Sequence, residues 1–254
     1  MIVQIDHVQL SSTAFEFHSR LLRRLGYQTL FTENGVRNLR IKRDLVRAFR
    51  ETQDLSLLAS EGNLGIELVN NGSVGPDEGL FIPVLVNVPP DLILKTEKAR
   101  QGRVPVSLVM LKGLEVPVYI SVAGGSTGFA FNQLVLRAED VERSARFWRS
   151  LGFVASPDAG WGTTLQFSSL TRGHLFRMHL RRGHRLAARP RLDDKGFVCL
   201  AFVVTSAENE AMRLGREGFE TTAAESITLN ARKMNILFVR GPDGEIVELI
   251  EVAR

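Results

Sequence analysis

The sequence predicts an α+β protein assembled from four βαβββ units, and three observations carry that prediction. The chain repeats itself: His7-Val8-Gln9-Leu10 and Gln133-Leu134-Val135-Leu136 lie 126 positions apart, as do Leu25-Gly26-Tyr27 and Leu151-Gly152-Phe153, almost half of the 254 residues. Four apolar strand candidates each run into a segment of helical period that closes on a glycine. Asp243-Gly244 sits between two apolar runs, the mark of a tight hairpin. A duplicated chain of this length divides into residues 1–126 and 127–254, each a pair of units of ordinary domain size.

Each element follows from its local pattern. Strands are expected at 2–10, 80–88, 129–137 and 196–205, where apolar residues dominate. The first helix, 13–25, places Phe17, Leu21, Leu22 and Leu25 on one stripe and stops at Gly26, and an extra helical stretch near 42–53 follows it. In the second unit a weaker helix spans 91–101 and closes at Gly102; strands follow at 103–107 and 115–122, with Pro105 and Pro117 marking edges or irregular pairing. The third helix candidate, 139–151, has Asp140 as N-cap, Val141, Phe147 and Leu151 facing inward, and Gly152 as its end. The fourth, 206–217, ends at Gly218. The closing strands run through 235–239, turn at Gly241-Pro-Asp-Gly244 and return as 246–250.

Composition bounds the function. With 44% hydrophobic and 24% charged residues the chain can bury a large core and shows no sign of disorder. Its single cysteine, Cys199, excludes an intramolecular disulfide and points to the cytoplasm. The first residues lack the pattern of a signal peptide, and no apolar run reaches the roughly 18 residues of a membrane span, so a soluble protein with no membrane partner is expected. The net charge of +4 is concentrated between Thr171 and Arg191, where seven arginines and three histidines stand without a carboxylate. That run reads either as a landing site for an anion or as a solvated strand end and loop. Phe176 is its only aromatic residue, which leaves little for base stacking and disfavours nucleic acid.

Three polar residues interrupt apolar strands. Side chains alternate along a strand, so His7 shares a face with Ile5 and Gln9, while Val8 and Leu10 occupy the face covered by the helix. Glu67, within Gly65-Ile-Glu-Leu-Val69, and Glu248, within Ile246-Val-Glu-Leu-Ile250, repeat the arrangement. A carboxylate in such a place must reach water, a partner or a metal, because an unpaired buried charge is strongly unfavourable.

With these pieces in view the chain resembles the vicinal oxygen chelate superfamily, which includes glyoxalase I, extradiol dioxygenases and bleomycin-resistance proteins. The matching residues are Ile5-Asp-His-Val8, the Leu-Gly-Tyr and Leu-Gly-Phe helix exits, and Gly241-Pro-Asp-Gly-Glu-Ile-Val-Glu248. The resemblance covers all four units and implies a tandem four-unit member whose units form two half-barrel cavities. In metal-using members the ligands come from the first and last strands of paired units. Carried over by position, His7, Glu67 and Glu248 are metal ligands, with Cys199, Gln133 and His179 as further candidates; unit two offers only Phe81 and Glu115.

The pairing of units decides which of these converge. If unit one closes against unit four and two against three, His7, Glu67 and Glu248 meet with Cys199 nearby; if units pair in sequence order, the set is split between two barrels. Economy favours the first arrangement. One histidine with two carboxylates suits a divalent ion such as Mn, Ni, Zn or Mg. The resemblance then implies a glyoxalase-like lyase or isomerase that acts on a small oxygen-chelating substrate through an enolate-type intermediate, Glu67 or Glu248 serving as the catalytic base. The alternative is a metal-free protein that binds or sequesters a small, antibiotic-like molecule. Either way the partner is a small-molecule ligand, and the protein a monomer or homodimer. His18, His174 and His184 read as surface residues, Phe167 as core, Trp161 as a cavity-rim residue, and Arg137 as a strand-end residue facing a ligand or a salt-bridge partner.

Overall fold

The computed structural model describes residues 1–70, 72, 80–101, 104–112, 114–121, 128–157, 162–170, 175–183 and 189–252. Unit one comprises β1 (Ile2–Ser11), α1 (Phe15–Arg24), β2 (Gln28–Arg37), β3 (Thr52–Ala59) and β4 (Gly65–Asn70). Unit two consists of β5 (Phe81–Val86), β6 (Ile93–Gln101), β7 (Val104–Leu111) and β8 (Leu114–Ser121). Unit three is β9 (Ala130–Ala138), α2 (Val141–Ser150), β10 (Val154–Ala155), β11 (Thr163–Ser168) and β12 (Leu175–Arg182). Unit four is β13 (Gly196–Val204), α3 (Ala207–Arg216), β14 (Glu220–Thr221), β15 (Glu225–Leu229), β16 (Arg232–Arg240) and β17 (Ile246–Val252).

The architecture is α+β, as the sequence predicts, with one unit altered. The helix expected at 91–101 is absent: a 3-10 turn at Pro90–Leu92 leads into β6, which pairs antiparallel with β7 from Ile93↔Leu111 to Gln101↔Val104. The segment carries too few apolar residues at helical spacing to bury a helix face, and the apolar strand Val104–Leu111 gives its backbone a hydrogen-bonding partner instead. Lys95 and Glu97, two apart and thus on one face, form an exposed ion pair at 2.6 Å. The extra helical stretch near 42–53 is likewise shorter than expected, a 3-10 turn at Arg40–Leu45 followed by extended chain.

The helices behave as their caps dictate. Asp140 accepts hydrogen bonds from the amides of Glu142 and Arg143, both 3.0 Å, and opens α2. Gly26 and Gly152 hold φ of +90° and +94°, the left-handed conformation that ends α1 and α2 at equivalent points of the repeat. The inward face of α1 differs from the expected stripe: His18, Ser19, Leu21 and Leu22 are buried, whereas Phe17 is 44% exposed. Partly buried Phe15 leads a Phe15–His18–Ser19–Leu22 row at spacings of three and four, which rotates Phe17 to solvent and brings His18 into the core.

Pairing between units follows the non-sequential scheme. β1 runs antiparallel to β13, with His7↔Ala201 and Gln9↔Cys199, and β5 runs antiparallel to β9, with Ile82↔Val135 and Val84↔Gln133. Unit one therefore shares a half-barrel with unit four, and unit two with unit three. The sheets meet where Phe197 of β13 pairs with Phe81 of β5, and the described strands form one continuous hydrogen-bonded array. The Thr205 amide donates to the carbonyl of Met1 at 3.0 Å, so β1 and the end of β13 lie together.

The main core lies between the helices and the outer sheet faces. Phe147, Trp148, Phe153, Phe167 and Phe202 are buried there, their rings meeting edge to face or tilted at centroid distances between 5.2 and 6.3 Å. Aromatic pairs of this geometry add about 0.5–1.5 kcal/mol each beyond the area they bury.

Candidate metal centre

Alternation along three strands builds the site. In β1, Val8 and Leu10 enter the main core while His7 projects to the concave side. In β4, Ile66 and Leu68 flank Glu67 in the same way, and in β17 Val247 and Leu249 flank Glu248. Parallel pairing sets the depth of each carboxylate, Glu67 opposite Gln9 and Glu248 opposite Ala201. The antiparallel β1–β13 pairing then brings the central residues of units one and four together within one half-barrel.

The result is a compact group. One donor atom from each of His7, Glu67 and Glu248 lies within 4.8 Å of the others. The imidazole Nε2 stands 3.6 Å from a Glu67 carboxylate oxygen and 3.7 Å from one of Glu248. Both separations exceed hydrogen-bond length, and the buried Nε2 has no hydrogen-bond partner. On the other side of the ring, Nδ1 lies 3.0 Å from the Asp6 carboxylate. Burial pulls the His7 pKa down, but the Glu67 charge and the hydrogen bond with Asp6 outweigh it and hold the imidazole well above its ordinary value. For Glu67 burial pushes upward, and the His7 charge, with a smaller contribution from Lys42, brings the carboxyl below its usual range.

These residues suit a divalent cation. A buried ring nitrogen without a hydrogen bond, aimed between two carboxylates and held from behind by a third, is the arrangement in which a ligating histidine is oriented by its outer partner. His7, Glu67 and Glu248 would hold the ion.

The group lies on the wall of a cavity of about 520 Å³. Leu39, Leu55, Ile227, Leu229, Ile236 and Ile250 supply its apolar surface. Two of its polar members escaped the sequence reading. Regular alternation would turn Asp6, the neighbour of His7, to the opposite face; Lys42, from the 3-10 turn, sits in a charged Arg-Ile-Lys-Arg-Asp stretch with nothing local to mark it as cavity-facing.

The remaining sequence candidates separate. Cys199 is the counterpart of His7 in unit four, since Gln9↔Glu67 matches Ala201↔Glu248 and each first-strand residue lies two positions earlier. It is buried, and burial followed by the Glu248 charge pushes its thiol well above the ordinary value, yet it stands outside the group of converging donor atoms. Gln133 and His179 meet in the other half-barrel, where His179 Nε2 is 2.9 Å from Gln133 Oε1 and Nδ1 is 3.0 Å from Thr164 Oγ1. Their counterparts from unit two are Ile82 and Tyr119 by register, rather than Phe81 and Glu115. Phe81 packs on Trp148 in the main core at 6.1 Å. Ile82, Val84, Val106, Tyr119 and Val135 fill that second interior with a small apolar cluster.

Trp161, His174 and His184 lie outside the described residues, as do 171–174 and 184–188 of the basic run. Phe167 is core, and Arg137 is exposed at its strand end. Among the described residues no helix is long and apolar enough to cross a membrane.

Comparison with known proteins agrees on architecture. No protein-family profile matches the sequence, and no curated protein matches it. Among solved structures, glyoxalase I from Zea mays superposes with a TM-score of 0.61 at 14% identity, covering 98% of this chain and 92% of that one. A candidate dioxygenase from Bacillus subtilis gives 0.63 at 12% identity, covering 100% and 86%. The chain has the vicinal oxygen chelate fold in its tandem, four-unit form.

Proposed function

We propose that this protein is a metal-dependent lyase or isomerase acting on a small substrate with two neighbouring oxygens. The observation that supports the reading is the convergence of His7, Glu67 and Glu248 within 4.8 Å beside a cavity large enough for a small molecule. A bound divalent ion would supply Lewis acidity to the substrate oxygens and stabilise negative charge developing on them. His7 is fixed for ligation by Asp6. A carboxylate of Glu67 or Glu248 takes up and returns the proton on a carbon beside the carbonyl. The leucines and isoleucines of the lining exclude water and so strengthen the charges of the group.

A second reading, a metal-free binder of small molecules, draws support from the same cluster: an imidazolium between two carboxylates balances part of their charge without an ion. Metal analysis separates the two. Protein purified without chelator should carry Mn, Ni or Zn, or gain thermal stability when one is added, and His7→Ala and Glu248→Gln should lose that response. No metal and no gain in melting temperature would overturn the enzyme reading. Stabilisation by a small aromatic ligand, indifferent to chelator, would establish the binder.

A further inference from the structure

Lys42 is a cation in an unusual place. Three arginines on or beside its segment each have a carboxylate: Arg37 with Glu225 at 3.1 Å, Arg43 with Glu51 at 3.1 Å, and Arg47 with Asp194 at 2.6 Å. Lys42 has none within 4.0 Å among the described residues, although it is only 6% exposed and lines the cavity that holds the metal group. Its backbone is fixed, the amide donating to the Leu39 carbonyl at 3.1 Å in the 3-10 turn. Its ammonium lies 5.7 Å from the centroid of the Phe238 ring, which gives the stem a surface to rest on without neutralising the charge. A lysine this buried is rare unless paired, because taking an ammonium out of water is costly.

The cavity is thus polarised. Two carboxylates and an imidazole converge in its lining, and the Lys42 ammonium lines it as well, more than 4.0 Å from either carboxylate yet near enough for its charge to act on Glu67. A ligand complementary to that pattern carries oxygens at one end and one negative charge elsewhere. Arg232 also lines the cavity but is exposed, so the buried cation is the compact Lys42 ammonium rather than a guanidinium fork, and a point charge of that kind suits a carboxylate rather than a phosphate, which commonly draws bidentate donors.

We propose that Lys42 selects the substrate class: small carboxylic acids whose carboxylate is held by Lys42 while a separate pair of neighbouring oxygens faces His7, Glu67 and Glu248. The proposal rests on the metal-dependent reading and adds a specificity-determining residue to it.

Two probes of equal carbon number test it, 2-hydroxybutanoate and 2-hydroxybutanedioate, which share the chelating α-hydroxy acid and differ by a terminal carboxylate. On Mn-loaded protein at neutral pH, calorimetry should show the diacid binding at least about tenfold more tightly, the scale of one well-placed charged contact. Lys42→Gln and Lys42→Met should abolish most of that preference, while Lys42→Arg keeps part of it. Mn affinity measured without either acid should be unchanged or stronger in the neutral variants, which also shows that they are folded. A wild type without the preference, or neutral variants that retain it, would overturn the assignment. If the wild type takes up no Mn, the metal-dependent reading fails, and the Lys42 assignment is then decided on chelator-treated protein by the same pair of acids. Stabilisation by the diacid alone, lost in both neutral variants, upholds it; equal responses reject it.

Discussion

The carboxylate of Asp6 lies 3.0 Å from Nδ1 of His7, although the two are consecutive residues of one strand. Regular alternation would send them to opposite faces. The pairing of β1 with β13 shifts register between Ile5↔Phe202 and His7↔Ala201, leaving Asp6 as the extra residue of a bulge. That bulge turns Asp6 toward the cavity and allows a neighbour in sequence to orient the imidazole.

Asp6→Ala should therefore weaken metal binding by about 10–100-fold, the usual cost of losing a ligand's outer hydrogen-bond partner. Asp6→Asn, which keeps an acceptor oxygen, should lose less. Competition titration with a chelating dye and Mn measures both; an affinity equal to wild type in Asp6→Ala would count against an orienting role.

Gly65 controls how closely β4 approaches His7. A Cβ at this position would stand 2.6 Å from the Asp6 carbonyl oxygen and 3.2 Å from the His7 Cβ. Since His7↔Gly65 is a pair of the β1–β4 ladder, Gly65→Ala must push the strands apart at the site. The expected result is a loss of about 1–3 kcal/mol in urea unfolding together with weakened Mn binding. Unaltered values for both would show that the strands absorb the methyl group.

Glu245 makes stability depend on pH. Burial pushes its carboxyl up to about 7, the Asp243 charge adding to the rise, against hydrogen bonds from the Asp243 amide and Ser144. A carboxyl raised in the folded state binds its proton more tightly there than in the unfolded chain. Stability from that proton is fully present below the unfolded pKa and is lost as pH rises from about 4.5 to about 7, a change of about 3 kcal/mol. Glu245→Gln should flatten this window and stabilise the protein most clearly at pH 8. Urea melts at pH 5 and pH 8 make the comparison, and an unchanged pH slope in the variant would refute it.

His179 should behave as a structural residue. Its two ring nitrogens are engaged by Gln133 and Thr164 in the interior that holds the apolar cluster of Ile82, Val84, Val106, Tyr119 and Val135. His179→Ala is expected to cost about 1–3 kcal/mol of stability, because buried partners are left unsatisfied. Mn affinity should stay at the wild-type value. A variant that folds normally but loses the ion would place the metal in the second half-barrel.

Much of this molecule is written in local pattern. The glycine stops at Gly26 and Gly152, the Asp140 cap, the apolar strands and the 126-residue repeat depend on neighbours a few positions away or on comparison of like segments, so a one-dimensional reading finds them. His7, Glu67 and Glu248 stand out for the same reason, as polar residues breaking apolar strands. Tertiary structure decided the rest. Whether unit one meets unit two or unit four is settled by long-range strand pairing, His7↔Ala201 across the chain, for which local sequence carries no signal. The strand at Ile93–Gln101 replaces a helix because β7 offers its backbone a ladder, the bulge at Asp6 exists only against β13, and Lys42 reaches the cavity because a 3-10 turn folds over Phe238. Local chemistry chose the side chains; only contacts between distant segments, whose energies depend on packing and register, chose which of them meet.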